Sequence, residues 1–276
     1  MRILIAGGGI AGLSTAIALR QKGFDPEIIE KHSSWRSGGA GLHLPGNAVV
    51  PMDQLGILED VDAKSFSFPE IRYCDHKDNK LFALDLTADD WPKFQAISRD
   101  AFHKILVDKA GDTRVRFDTE IKSLSQEADE PALVEFMDGK TDQYDLVIAA
   151  DGINSSLRQM VFGSELKPVP AGISCWRWIT ESKGLLEPHF MLGRGKVLLT
   201  MPIDEKHAYV FASVTDPEGE LLDVGNDVIQ REFSDFGGIV PEIGFHSTID
   251  NPDCVSLVIP PTTTISTTKK APKSNQ

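Results

Sequence analysis

The sequence predicts an α/β fold, a Rossmann-like, doubly wound parallel sheet joined to a second, β-rich part of the chain. A short apolar run, residues 2–6, leads directly into Gly7-Gly-Gly-Ile-Ala-Gly12 and then into a helical pattern. A second apolar run, residues 145–150, ends in Asp151-Gly152. Beyond Arg158 helical periodicity gives way to closely spaced strand-like segments.

The first thirty residues read as strand, tight turn, helix, strand. Gly7 permits the sharp turn, Gly9 lets a pyrophosphate approach the backbone, and Gly12, with Ala16 one turn on, lets the helix pack closely on the sheet. Amides at the helix start, Ala11 among them, then face phosphates. Gly23 ends the helix, residues 27–30 form the second strand, and Glu30 stands where a carboxylate accepts hydrogen bonds from both ribose hydroxyls. A lone GxGxxG is weak evidence; here strand, helix and terminal acid agree on dinucleotide binding.

Composition narrows the remaining classes. With 28 Lys and Arg against 41 Asp and Glu, the formal charge of −13 argues against nucleic acid or an anionic membrane as partner. Cys74, Cys175 and Cys254 are odd in number and far apart, which suggests neither a disulfide framework nor a metal knuckle and fits a reducing cytoplasm. The apolar start is too short for a secretory or membrane-spanning segment, and no stable membrane insertion is expected.

Residues 31–47 form a long Gly- and Ser-rich loop, a length that is usually functional or disordered. Within it Arg36 is favoured as a phosphate partner over a solvated surface arginine. His43, between two leucines, is favoured as a hydrogen-bonded structural group over a ligand contact. Helical spacing of Val49, Met52 and Leu55 before Gly56 predicts a short helix. Residues 71–75 and 80–86, about an Asp78-Asn79 turn, predict a hairpin that leaves the first layer. Ser98 is the expected N-cap of a helix whose apolar face holds Phe102, Ile105 and Leu106. Arg99 opposes that helix's dipole unless an anion lies beside it, which favours a phosphate contact. Residues 115–117, 120–124 and 133–137, with a turn at Asp138-Gly139, read as short strands. Asp151-Gly152 is favoured as a ligand contact over a turn followed by a helix capped by Asn154 or Ser155, because the strand ends at the expected ligand edge.

These motifs, with the Ile97-Ser-Arg99 helix start and the run from Asp145 to Arg158, resemble the single-component flavin monooxygenases, similar to para-hydroxybenzoate and salicylate hydroxylases. The resemblance covers most of residues 1–178; Gly39 to Asn47 is similar to the segment beside the isoalloxazine, and Cys175-Trp-Arg-Trp178 to the first substrate-domain strand. It implies FAD as cofactor, NAD(P)H as reductant, and hydroxylation or epoxidation of a small organic molecule, aromatic compounds included. The cofactor-binding residues it implies, together with the motif reading, are Gly7, Gly9, Ala11, Gly12, Glu30, Lys31, Arg36, Gly41, Leu42, Arg99, Asp151 and Gly152. No catalytic side chain and no metal are assigned, since the flavin carries the chemistry.

Residues 173–179, 196–201 and 208–214 read as strands, with Gly193-Arg-Gly195 as a turn, followed by a helix over 227–236 and a strand over 254–259. Trp176, Trp178, Met201 and Phe211 are read as core in preference to a cavity lining. The expected division assigns residues 1–70 and 93–163 to the FAD-binding domain and 71–92 and 164–259 to the substrate domain. Residues 260–276 are low in complexity and expected to be disordered. The family's later Gly-Asp motif is not found, so the C-terminal part of the family fold is expected to be missing. A flavin oxidase or reductase on the same scaffold, and a truncated non-catalytic fragment, stand as alternatives.

Overall fold

A computed structural model describes residues 1–36, 40–87, 93–128, 130–221, 226–243 and 253–259. In chain order the first elements are β1 (Ile3–Ala6), α1 (Ile10–Gln21), β2 (Pro26–Ile29), β3 (Gly41–Leu44), α2 (Val49–Gln54) and α3 (Leu58–Asp62). Then come β4 (Phe66–Ser67), β5 (Glu70–Asp75), β6 (Lys80–Asp85), β7 (Gln95–Ser98) and α4 (Arg99–Ala110). They are followed by β8 (Arg114–Arg116), β9 (Ile121–Ser125), β10 (Ala132–Phe136), β11 (Thr141–Tyr144), β12 (Leu146–Ala149) and α5 (Ser156–Phe162). The last are β13 (Val169–Glu181), β14 (His189–Gly193), β15 (Lys196–Pro202), β16 (His207–Thr215), α6 (Asn226–Glu232), α7 (Val240–Ile243) and β17 (Asp253–Ile259).

The first layer is a parallel sheet in the order β12-β1-β2-β8. Alternation along its strands sends side chains to two different cores. Ile5 and Ile28 pack with Leu13 and Ile17 of α1 and Phe102, Ile105 and Leu106 of α4. Leu4, Ala6 and Ile29 face the other way, against Ile121, Val134, Phe136, Tyr144 and Leu157. That second face is covered by the antiparallel sheet β11-β10-β9 and by α5. Helix α1 ends as its sequence predicts: Gly23 takes φ +81°, its N–H donates to Arg20 O at 2.9 Å, and Phe24 N–H donates to Leu19 O at 3.1 Å. Ser98 caps α4, its Oγ accepting the Ala101 N–H at 3.2 Å.

The second layer is a seven-stranded sheet in the order β17-β13-β16-β15-β14-β5-β6, antiparallel except where β14 meets β5. The hairpin β5–β6 does leave the first layer, and it joins the sheet formed by the chain beyond residue 164. One face of the sheet buries Trp176, Trp178, Met191, Leu198 and Val210 against Ile229, Phe233, Phe236, Val240 and Ile243. Both tryptophans are core, as read from the sequence. The opposite face, with Ile71, Leu199, Met201, Ile203 and Tyr209, packs back toward the parallel layer through Phe68 and Ala96. The small sheet β3-β7-β4 is the link: in β7, Ile97 belongs to the helical core and its neighbour Ala96 to the core under the seven-stranded sheet.

Several elements differ from the sequence reading. Strand β11 is Thr-Asp-Gln-Tyr, too polar to show a pattern, and is held by its partner β10. Strand β3 lies in the segment read as a loop, and β14 in residues given no element, only its last residue, Gly193, falling in the expected turn; each is short and takes its extended form from a neighbouring strand. The helix expected over 227–236 stops at Glu232, and Phe233 and Phe236 continue as packing residues outside it. Residues 260–276 lie outside the described residues, and with them the reading of a disordered tail.

Candidate nucleotide-binding site

The carboxyl ends of all four parallel strands converge on one cavity of about 330 Å³. Chain order reverses about β1, with β2 and β8 on one side and β12 on the other, and such a switch point opens a crevice in α/β sheets. The lining includes Gly7, Gly8 and Gly9 after β1, Glu30, Lys31, His32 and Arg36 after β2, and Thr119 and Glu120 after β8. Asp151 to Asn154 follow β12, and Arg99 and His103 come from α4.

The glycine loop is built from specific contacts. Gly7, at φ +109°, donates its N–H to Ile29 O at 2.8 Å, and a Cβ there would run into the Ala150 carbonyl. Gly12 faces the loop from inside α1, where a Cβ would collide with Gly7 O, so its role is close packing. Around Gly9 nothing lies within 4 Å of where a Cβ would stand. That open space, beside free-ended helix amides, is what a phosphate needs.

Glu30 secures the loop. Its Oε2 accepts the Gly8 N–H at 2.9 Å, and its Oε1 accepts the His32 N–H at 3.0 Å and the protonated His32 Nδ1 at 2.6 Å. Burial pushes the Glu30 carboxyl up, but the hydrogen bonds from His32 and Gly8 outweigh it and hold the pKa below its ordinary value. The carboxylate is 13% exposed and keeps lone pairs for further donors.

Asp151 serves the turn and the cavity wall alike. It lines the cavity, and its Oδ2 accepts the Leu157 N–H at 3.1 Å and lies 3.5 Å from Ser156 Oγ. Ser155 caps α5, its Oγ accepting the Arg158 N–H at 2.9 Å. Gly152 turns the chain at φ +85° with nothing within 4 Å of its missing Cβ.

Eight of the twelve residues singled out therefore meet in one cavity: Gly7, Gly9, Glu30, Lys31, Arg36, Arg99, Asp151 and Gly152. Lys31, Arg36 and Arg99 stand against Glu30, Glu120 and Asp151 in the lining, so on a chain of net charge −13 the cavity is locally balanced and has cations to offer a diphosphate. Ala11 and Gly12 belong to the helix behind the loop, outside the lining. Gly41 and Leu42 lie on β3, also outside it, where a Cβ on Gly41 would stand 2.6 Å from Tyr209 Cβ. His43 is on the same strand, its ring 6.0 Å from that of Phe68 and 5.7 Å from that of Phe94. Gly8, His32, His103, Thr119 and Glu120 were missed. His103 had a signal, since it follows Arg99 by one helical turn; Thr119 would have followed from reading residues 114–116 as a third parallel strand.

The residues present fit FAD: a carboxylate at the end of β2 with lone pairs free for hydroxyl donors, an open glycine cradle, and three cations in the same lining. Known proteins agree. A family model described as "FAD binding domain" matches residues 1–180. A flavin-dependent monooxygenase from an unknown prokaryotic organism is 37% identical over 166 residues, covering 59% of this chain and 43% of the relative. The FAD-dependent urate hydroxylase of Klebsiella pneumoniae subsp. pneumoniae is 29% identical over 252 residues, covering 88% of this chain and 65% of the relative. The crystal structure of Klebsiella pneumoniae HpxO complexed with FAD and uric acid superposes with a TM-score of 0.81 at 25% identity, over 94% of this chain and 68% of that one. The chain thus spans less than half the length of one curated relative and about two thirds of the other. No helix among the described residues is long and apolar enough to cross a membrane. On the match of residues 1–180 and on this fold, the chain belongs to the FAD-binding domain family of the single-component flavin monooxygenases.

Proposed function

We propose that the chain is the catalytic part of an FAD-dependent monooxygenase that hydroxylates or epoxidises a small organic substrate with NAD(P)H and O2. The observation that carries this reading is the junction of the two layers. Strand β3 begins five residues beyond Arg36 of the cavity lining, and its Gly41 presses against Tyr209 on the inner face of the seven-stranded sheet. A cofactor held at one end by the glycine loop would have its other end beside an apolar, aromatic sheet face. That face carries a stack of Phe82, Tyr73 and Phe190 with ring centroids 4.4 and 5.0 Å apart, which suits a planar substrate.

In this reading residues 1–70 and 93–163 hold the cofactor and residues 71–92 and 164–259 the substrate. Glu30 accepts from the ribose, and amides from Gly9 through Ala11 meet the diphosphate. Lys31, Arg36 and Arg99 balance its charge. Asp151 and Gly152 border the cofactor's middle, and Gly41 and Leu42 its ring. Bound FAD supplies the transfer of electrons from the nicotinamide to oxygen and of one oxygen atom to substrate. The protein's own work is to bind, orient and exclude water, which agrees with a site built of backbone amides and charge pairs.

The test is turnover of candidate aromatic and heteroaromatic substrates under ¹⁸O₂ with NADH or NADPH. Labelled oxygen in the organic product supports the monooxygenase; peroxide alone, with no label in product, replaces it with an oxidase or reductase.

A further inference from the structure

We infer that His103 is the positioning residue that sets the phosphate loop in its binding orientation, by locking the peptide between Gly8 and Gly9. The inference rests on the FAD reading of the cavity. His103, which also borders the cavity, is 6% exposed, with its Nε2 2.9 Å from Gly8 O. A carbonyl oxygen only accepts, so Nε2 carries the proton and donates. A trans peptide is planar and sets its C=O and N–H on opposite sides, and the described chain contains no cis peptide. Holding the Gly8 carbonyl toward His103 therefore turns the Gly9 N–H away from that ring, the side assigned to the phosphate.

This peptide needs a lock because it is flanked by two glycines. With no Cβ on either side, rotating it by half a turn meets little steric resistance and would present an oxygen lone pair to the phosphate. The preceding peptide is already fixed, since Gly8 donates its N–H to Glu30 Oε2 at 2.9 Å. Gly8 is thus gripped at both ends, by a carboxylate from β2 and an imidazole from α4. The imidazole is itself held: Trp35 meets it edge-on with centroids 5.6 Å apart, and Trp35 packs in turn on Phe117 at 4.9 Å. Trp35 also fills the space beside Gly8, where a Cβ would stand 2.5 Å from its Cζ3.

The test separates the donated hydrogen bond from the filling of space. His103→Met keeps apolar bulk without a donor, and His103→Gln places an amide N–H where Nε2 stood. Titrations with FAD and with ADP are read beside the melting temperature of the unliganded proteins. The expected result is that His103→Met weakens both ligands about tenfold, while His103→Gln stays within about twofold of the parent. Should His103→Met fail to fold, His103→Phe takes its place in the same comparison. Equal affinities for the donor-less variant and the parent would overturn the inference, as would an equal loss in His103→Gln. A parent that binds neither FAD nor ADP would overturn the cofactor reading and this inference with it, whereas a parent that binds both isolates the fate of His103.

Discussion

Replacing Glu30 with alanine probes fold and site together, because the carboxylate serves the protein before any ligand arrives. It accepts three hydrogen bonds, from Gly8 N–H at 2.9 Å, His32 N–H at 3.0 Å and His32 Nδ1 at 2.6 Å. The His32 side chain is 44% exposed, so water replaces its two bonds at little cost. Gly8 is buried, and its N–H would be left without an acceptor, which costs about 1–3 kcal/mol. For a chain of this size that corresponds to a fall in melting temperature of about 4–8 °C for the middle of the range. FAD affinity should drop by a further 1–3 kcal/mol, roughly, as ribose hydroxyls lose their acceptor and the glycine loop its anchor. The pH dependence carries a sign. Since the folded-state pKa lies below its ordinary value of 4.5, the carboxylate's contribution is fully present above pH 4.5 and is lost as pH falls through the folded value. The gap in melting temperature between parent and Glu30→Ala should therefore be widest above pH 4.5 and close in acid. Thermal unfolding across pH, beside FAD titration at neutral pH, measures all three; unchanged apo melting together with unchanged FAD affinity would refute the reasoning.

Gly9→Val should leave unliganded stability within about 0.5 kcal/mol, because nothing lies within 4 Å of the new Cβ, yet remove FAD binding; a stoichiometric yellow variant would contradict it. Asp151→Ala should lower apo stability by about 1 kcal/mol through loss of the Leu157 N–H acceptor, and also weaken FAD, so chemical unfolding and titration must both move. Gly41→Ala should destabilise the junction of the two layers by about 1–3 kcal/mol, since the new Cβ would stand 2.6 Å from Tyr209 Cβ. Adding Tyr209→Ala should recover part of that loss in a double-mutant cycle; strict additivity would show that the two residues do not compete for space.

Local patterns carried much of the fold because local physics determines those parts. The strand, glycine loop and helix of the first thirty residues follow from an apolar run and from spacing that only close packing explains. The same holds for the hairpin β5–β6 and the Ser98 cap, whose partners are near in sequence. What escaped depends on partners far along the chain. Strand β11 is polar and extended only because β10 pairs with it, and Arg2 at the start of the chain donates two 2.7 Å hydrogen bonds to its Asp142. Gly41 is singled out for the cofactor through the resemblance, and nothing in its own loop points to Tyr209 in another layer, which leaves no room for a Cβ there. His103 is the sharpest case: periodicity places it on the inner face of α4 but gives no hint that its ring meets a carbonyl 95 positions earlier. At Asp151 the sequence offered ligand contact or turn chemistry as rivals, and the structure joins a cavity-lining position to a helix-capping bond in one carboxylate.

Binding of FAD in the crevice at the ends of β1, β2, β8 and β12 is read by difference absorbance while the purified chain is titrated with FAD, the Gly9→Val variant serving as its control. The parent should show a saturable shift of the flavin bands at one equivalent and Gly9→Val none, although both melt alike without ligand. A parent that leaves the flavin spectrum unchanged, or a Gly9→Val protein that binds as the parent does, would contradict it.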